Sequence, residues 1–366
     1  MDVEQRVLAV LRGEQPDRVP VLMHFNPYVE DWYTYLPVFA DVLPAAERYA
    51  DVVFDWSFPA PLMFTAAARW IEQHDLGGGQ VEQIIHTPDG PLTEVVRTGL
   101  REQPPLKRWI QTVDDAERAL SMPYVSPKPD LDRFLETTRR LGGRVITRAT
   151  FRDPIALADW IDDRTFAAWR VERRDLIRRL LDAAFERIAD GLRTCLEAGV
   201  GPVYVLNRCQ PGLLRTLSDK DVEEFVLDYD RRLVEIVHDY PDRYVALGAP
   251  NQHASLLESL VAVGMDGLRV VDPPPRGECG LAEMKRLIGD RVCLIATLSA
   301  EELSGVQADQ IDALVRRTLA DGAAGARFML LPCPLPGARD LNERAADNLI
   351  EYLKAAHRLG AYPLQI

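Results

Sequence analysis

The sequence predicts an α/β chain: a single (β/α)8 TIM barrel with an N-terminal helical extension and an inserted β-hairpin. Strand-like apolar runs recur eight times, at Arg18 to Phe25, Asp51 to Phe54, Arg144 to Thr150, Pro202 to Leu206, Tyr244 to Gly248, Gly267 to Val271, Val292 to Thr297 and Arg327 to Leu331. Helix-patterned stretches separate most of them, as parallel strands require, because each crossover must carry the chain back to the same end of the sheet. Each run also breaks into polar residues at its C-terminal end, which is where a barrel of this type carries its chemistry.

Taken in order, Val3 to Leu11 reads as an amphipathic helix closed by Gly13, and Gln15-Pro16-Asp17 turns the chain into the first strand. An aromatic-rich loop follows, from Phe25 and Tyr28 to Trp32, Tyr33 and Tyr35. Val81 to His86 and Leu92 to Arg97 flank the turn sequence Thr87-Pro88-Asp89-Gly90, so residues 80–98 are expected to be a hairpin outside the barrel, a rim or lid. Helices are then expected around Asp153 to Trp160, over Phe166 to Ala198, and after Ser218-Asp219, where a side-chain cap precedes apolar positions at three-to-four spacing. Further helices are expected at Ala254 to Val263, Leu281 to Ile288, Ala308 to Leu319 and Arg344 to Leu359. Pro273-Pro274-Pro275 stiffens the loop after the sixth strand.

With 366 residues and 47% hydrophobic content the chain can bury one elaborated core, 1–366 as one domain with 1–17 as its N-terminal helix. A net charge of -13 opposes nucleic acid and anionic membranes as partners. Five scattered cysteines without a CxxC pair fit a reducing cytoplasm. No apolar run reaches the roughly 18 residues of a membrane span. Gly77-Gly78-Gly79 does not link a strand to a helix, so neither a dinucleotide fingerprint nor a phosphate loop is expected.

The strand ends supply the candidate site. Asp55 is the leading catalytic residue: a carboxylate there must find a partner, and it would orient ligand N–H groups or act as a general acid or base if burial raised its pKa. An aspartate at that position would equally cap the following helix. His24 and His253 are the histidines near strand ends, and Asn207 and Asn251 complete the catalytic candidates. Arg152, Arg208, Arg276 and Arg339, with Arg148, would make a cationic collar for an anionic substrate, since guanidinium binds carboxylate or phosphate bidentately. Acidic neighbours in sequence would equally pair with several of them. Phe25, Tyr28 and Trp56, with Phe58 and Phe151, would give flat surfaces for a planar ligand, or merely close the barrel end. His253 and Cys333 are weak metal candidates, and nothing has the tight ligand spacing of a zinc motif, so zinc is not expected.

The order of motifs resembles the uroporphyrinogen decarboxylase superfamily, which includes the heme-pathway decarboxylase and cobamide-dependent methyltransferases. The resemblance rests on Arg6-Val7-Leu8-Ala9 through Pro16-Asp17-Arg18-Val19-Pro20-Val21, on Thr87-Pro88-Asp89-Gly90-Pro91-Leu92, on Leu217-Ser218 before Phe225, on Gly264-Met265-Asp266-Gly267, on Ile288-Gly289-Asp290-Arg291-Val292, and on Asn342 to Asn348. It implies a TIM barrel, an aspartate role near Asp55 and a homodimer. The catalytic signatures depart from it. Where the decarboxylases carry Arg-Gln-Ala-Gly-Arg to hold substrate carboxylates, this chain has Met23-His24-Phe25-Asn26-Pro27; where the thiol-directed methyltransferases carry His-x-Cys-Gly, it has Gly248-Ala249-Pro250-Asn251, and of their zinc ligands only Cys333 remains.

The resulting expectation is methyl transfer between a small methylated compound and a corrinoid protein, with Asp55, His24, Asn207, Asn251 and His253 orienting substrate and supplying protons. The alternatives are a decarboxylase of tetrapyrrole or other carboxylated substrates, with the arginines on the acidic arms, and a non-catalytic barrel that carries a tetrapyrrole or corrinoid.

Overall fold

The computed structural model describes residues 1–58, 71–98, 105–207, 216–248, 254–270, 279–333 and 341–364. Eight parallel strands follow one another around the barrel: β1 (Leu22–Met23), β2 (Asp51–Ser57), β6 (Val145–Arg152), β7 (Val203–Asn207), β8 (Tyr244–Gly248), β9 (Gly267–Val270), β10 (Cys293–Leu298) and β11 (Phe328–Pro332). A parallel bridge between Val21 and Leu330 joins the first strand to the last, so the sheet is closed and has no edge to protect.

Period-two alternation sends one set of side chains inward. Val53, Ile146, Val205, Ala246, Ile295 and Met329 form a buried cluster with Val7, Leu8, Val10 and Leu11 of α1 (Val3–Arg12). This helix therefore plugs the N-terminal end of the barrel and leaves the opposite end for a site. Its start is capped by Asp2, whose carboxylate accepts the Gln5 N–H at 2.8 Å, and it ends at Gly13, where φ is +81° and the Arg327 guanidinium lies where a Cβ would be. Arg6 donates to Asp17 and to the fully buried Asp51, each at 2.6 Å, and Arg18 donates to Asp51 at 3.0 Å. The turn read from Pro16-Asp17 is thereby tied to the start of β2.

β1 is much shorter than the run from Arg18 to Phe25. It pairs with β2 only at Leu22↔Asp51 and Met23↔Val52, and from Phe54 to Ser57 the ladder of β2 runs to β6 alone. Pro20 has no N–H to offer, and beyond Met23 the Asn26 side chain replaces the ladder by donating to the Val53 carbonyl at 3.2 Å. A slot consequently opens in the barrel wall beside the C-terminal half of β2.

The insertion is larger than the expected hairpin. β4 (Gln80–Thr87) and β5 (Gly90–Arg97) pair around the anticipated turn, and β3 (Glu72–Gly77) adds an antiparallel third strand. Every residue of β3 is exposed, so it has no alternation of polarity to read. The sheet is anchored by Ile85 and Leu92, both buried against the core. The long helix expected at 166–198 is two, Asp163–Glu172 and Arg174–Glu197, because Arg173 leaves helical geometry at φ −138°. Four helices among the described residues were not expected: α2 (Val42–Tyr49), α3 (Val113–Leu120), α4 (Asp132–Leu141) and one at Ala300–Gly305. In α4 only Phe134 and Leu141 are buried, a stripe too thin to read from hydropathy alone.

Candidate functional site at the C-terminal end of the barrel

Parity decides which strand-end residues meet. Val53 faces inward, so Asp55 does too; the same step carries Ile146 to Arg148 and Gly267 to Arg269. Asp55 is the meeting point. Its Oδ1 accepts Nε of Arg148 at 2.6 Å, and its Oδ2 accepts a terminal N–H of Arg148 at 2.7 Å and Nδ1–H of His24 at 2.7 Å. The guanidinium of Arg148 also lies 3.3 Å from the His24 ring nitrogen Nδ1 and 3.5 Å from Nε2.

These contacts set the charges. Burial alone would raise the Asp55 carboxyl, but the Arg148 charge and the hydrogen bonds from His24 and Arg148 outweigh it and hold the group well below the usual carboxylate range. The expectation of a proton-donating aspartate is therefore corrected: Asp55 is a locked carboxylate, since a bidentate guanidinium on its oxygens opposes protonation. His24 is 7% exposed; burial, then the charge of Arg148, lower its pKa, so the ring is neutral at pH 7. With Nδ1–H given to Asp55, the Nε2 lone pair is the basic position of the cluster.

Arg269 completes the group, and sequence reasoning missed it. It sits in the middle of the sixth apolar run, Gly267 to Val271, whereas the candidates were taken from the C-terminal part of each run and the residues beyond it. A charged side chain at an inward position of a barrel strand was the available signal. Burial, then the neighbouring Arg148, lower its pKa to about 10, which leaves it charged at pH 7. Its Nε is buried with no hydrogen-bond partner among the described residues. Among the described residues, two guanidinium groups thus face one carboxylate and a neutral histidine, an excess of positive charge.

Other candidates fall elsewhere. Phe25 is wholly buried and packs edge-on against Tyr33 and Phe39, so it supports the loop and does not present a face to a ligand. Tyr28 packs with Val52, Leu141 and Val145 on the outer wall, under Arg144, and this corrects its placement at the mouth. Arg152 is half exposed and paired with Asp159 at 3.1 Å, outside the cluster, because the last residue of β6 reaches solvent. Phe151 is a core residue beneath Phe58. Cys333 is fully buried, with φ +50°, and burial pushes its thiol up to about 12, which opposes the free thiolate that an attacking nucleophile would need. Among the described residues no three His, Cys, Asp or Glu side chains are grouped as metal ligands. The side chain of Asn207 and all of Arg208, Asn251, His253, Arg276 and Arg339 lie outside the described residues.

Trp56 does face a cavity. The slot beside β2 opens into a space of about 420 Å³ whose floor is His24 and Asp55 and whose walls include Tyr33, Phe54, Trp56 and Phe134. Phe134 of α4 stacks on Phe54 with centroids 5.3 Å apart and tilts against Trp56 at 5.5 Å. His24 and Asp55 of the cluster thus border this cavity.

A closed parallel barrel with a carboxylate, a histidine and two arginines gathered at its C-terminal strand ends defines a TIM-barrel protein with a polar cluster at the end where this fold carries its candidate site. The profile of the uroporphyrinogen decarboxylase (URO-D) family matches residues 47–332, and the chain belongs to that family. Among solved structures, a methyltransferase from Methanosarcina mazei superposes over 98% of this chain and 99% of that one, with a TM-score of 0.60 at 18% identity, which shows a shared fold. A B12-independent methionine synthase from Shewanella sp. W3-18-1 covers 77% of this chain and 75% of its own, with a TM-score of 0.42 at 13% identity. No match was found among curated proteins. No helix among the described residues is long and apolar enough to cross a membrane.

Proposed function

We propose that this chain is an enzyme of the uroporphyrinogen decarboxylase superfamily that transfers a methyl group from a small, anion-bearing methylated compound to a corrinoid protein. The observation that carries the reading is Arg269, a charged guanidinium whose buried Nε has no hydrogen-bond partner among the described residues, beside the ion pair of Asp55 and Arg148. An uncompensated buried charge is costly, so a site that retains one is complementary to an anionic group on its ligand. Arg269 would hold that group, and the Asp55–Arg148 pair would keep the His24 ring fixed with Nε2 toward the substrate. The corrinoid would arrive on its partner protein and supply the electron pair that accepts the methyl group, while the pair of the broken bond stays on the donor atom of the substrate.

Of the weak metal candidates, Cys333 is a buried thiol and His253 lies outside the described residues, and the described residues form no group of three metal-ligating side chains. No step here runs through a metal. The test is direct. Purified protein mixed with a reduced corrinoid protein and a panel of carboxylate-bearing methyl donors is expected to produce the absorbance change of corrinoid methylation. Failure with every donor, with and without added zinc, would overturn the reading.

A second reading, decarboxylation of a carboxylated substrate, is favoured by the same excess positive charge and by an Asp55 that stays ionised to accept N–H donors. Against it, a guanidinium on the departing carboxylate would stabilise the ground state more than the transition state. Release of carbon dioxide from a tetrapyrrole substrate, abolished in Asp55→Asn, would select it.

A further inference from the structure

The lateral cavity has a chemistry of its own. Its inner end is the Asp55–His24 cluster, but its walls are aromatic: Phe54 and Trp56 alternate with the inward-facing Val53 and Asp55 and so point outward, toward Phe134. Its rim carries three carboxylates, Glu30, Asp31 and Asp130, against one guanidinium, Arg133. The carboxylates are held by local contacts and, among the described residues, not by cations: Glu30 accepts the Tyr35 hydroxyl at 2.7 Å, Asp31 the Trp32 N–H at 2.7 Å and Asp130 the Asp132 N–H at 3.2 Å. Ring faces attract a cation through their quadrupole, and a ring of net negative charge outside them adds to that attraction. A space of about 420 Å³ exceeds what a trimethylammonium group needs and suits the rest of a small molecule behind it.

We infer that this cavity is a subsite for a methylated cation, a quaternary ammonium or sulfonium group, and that the substrate is zwitterionic, with its cationic end in the aromatic cavity and its anionic end toward Arg269. The inference rests on the methyl-transfer reading and names its substrate class. It also simplifies the chemistry. When a methyl leaves a quaternary nitrogen, the bonding pair stays on nitrogen and a neutral amine results, so no proton has to be delivered to the leaving group. A site whose carboxylate is locked by Arg148 and whose histidine is neutral is suited to that reaction.

The full chain is titrated with choline and with its uncharged isostere 3,3-dimethylbutan-1-ol, using intrinsic tryptophan fluorescence and calorimetry. The cation is expected to bind at least about tenfold more tightly than the isostere, and the Glu30→Gln/Asp130→Asn double variant to weaken it by about tenfold. Both substitutions keep the local acceptor, and Trp56→Leu removes the ring in a separate variant that should lose binding in the same way. Equal affinity for the two probes, or unchanged affinity in both variants, overturns the inference. Methyl transfer is measured separately. Transfer that succeeds only from uncharged donors and is untouched by the double variant overturns the subsite and leaves the methyl-transfer reading standing. Intact cation binding without transfer from any donor sinks that reading and supports the subsite.

Discussion

Arg269 keeps its charge although burial and Arg148 both work against it, and nothing in the described protein hydrogen-bonds its buried Nε. Removing it therefore breaks no hydrogen bond of that Nε to the described protein. Arg269→Met is expected to raise the KM for an anionic substrate by about tenfold or more, from loss of a charged hydrogen bond, while the melting temperature stays level or rises. Steady-state kinetics beside calorimetry checks both halves. Asp55 behaves in the opposite way. Its contacts with Arg148 and His24 were invisible in the sequence, where the three residues are far apart, and they turn a residue read as an acid or base into a fixed anion. The sequence named Asp55, His24 and Arg148 from the C-terminal part of each apolar run or just beyond it. It did not name Arg269, which lies in the middle of the run from Gly267 to Val271, where a charged residue at an inward position was the sign to read.

Elements show where pattern reading succeeds and where it fails. Strands of the barrel alternate with regular helices and were located to within a few residues, whereas β3 was invisible because both of its faces meet solvent. The inserted sheet also carries a pH-sensitive group. Glu94 on β5 is half-buried, and burial, only partly offset by Arg108, raises its pKa from 4.5 to about 7. A carboxyl whose pKa is higher in the folded state stabilises the fold below its unfolded pKa, and that contribution is lost as pH rises through about 7. Glu94→Gln should therefore stabilise the sheet at pH 8 and have little effect at pH 4, by about 1 kcal/mol at most because solvent still reaches the side chain. Hydrogen exchange in β4 and β5 at the two pH values measures this, and equal protection of both proteins at pH 8 would count against the burial argument.

At the scale of the molecule, closure of the barrel and the plug formed by α1 determine where chemistry is possible. Leu11 is 3% exposed and reaches Gly267 inside the barrel. Leu11→Ala is expected to cost about 2 to 4 kcal/mol through the cavity it leaves, and to lower the melting temperature without altering affinity for a ligand bound at the opposite end. Denaturant unfolding together with ligand titration separates these effects. The sequence by itself determined the class of fold and the end of the barrel that carries the site, because alternation, helical spacing and turn residues are local properties that recur along the chain. The tertiary structure alone decided which side chains share charge, that the short β1 leaves an aromatic slot in the wall, and that Arg269 faces the cluster. Those facts depend on residues distant in sequence that meet only when the sheet closes.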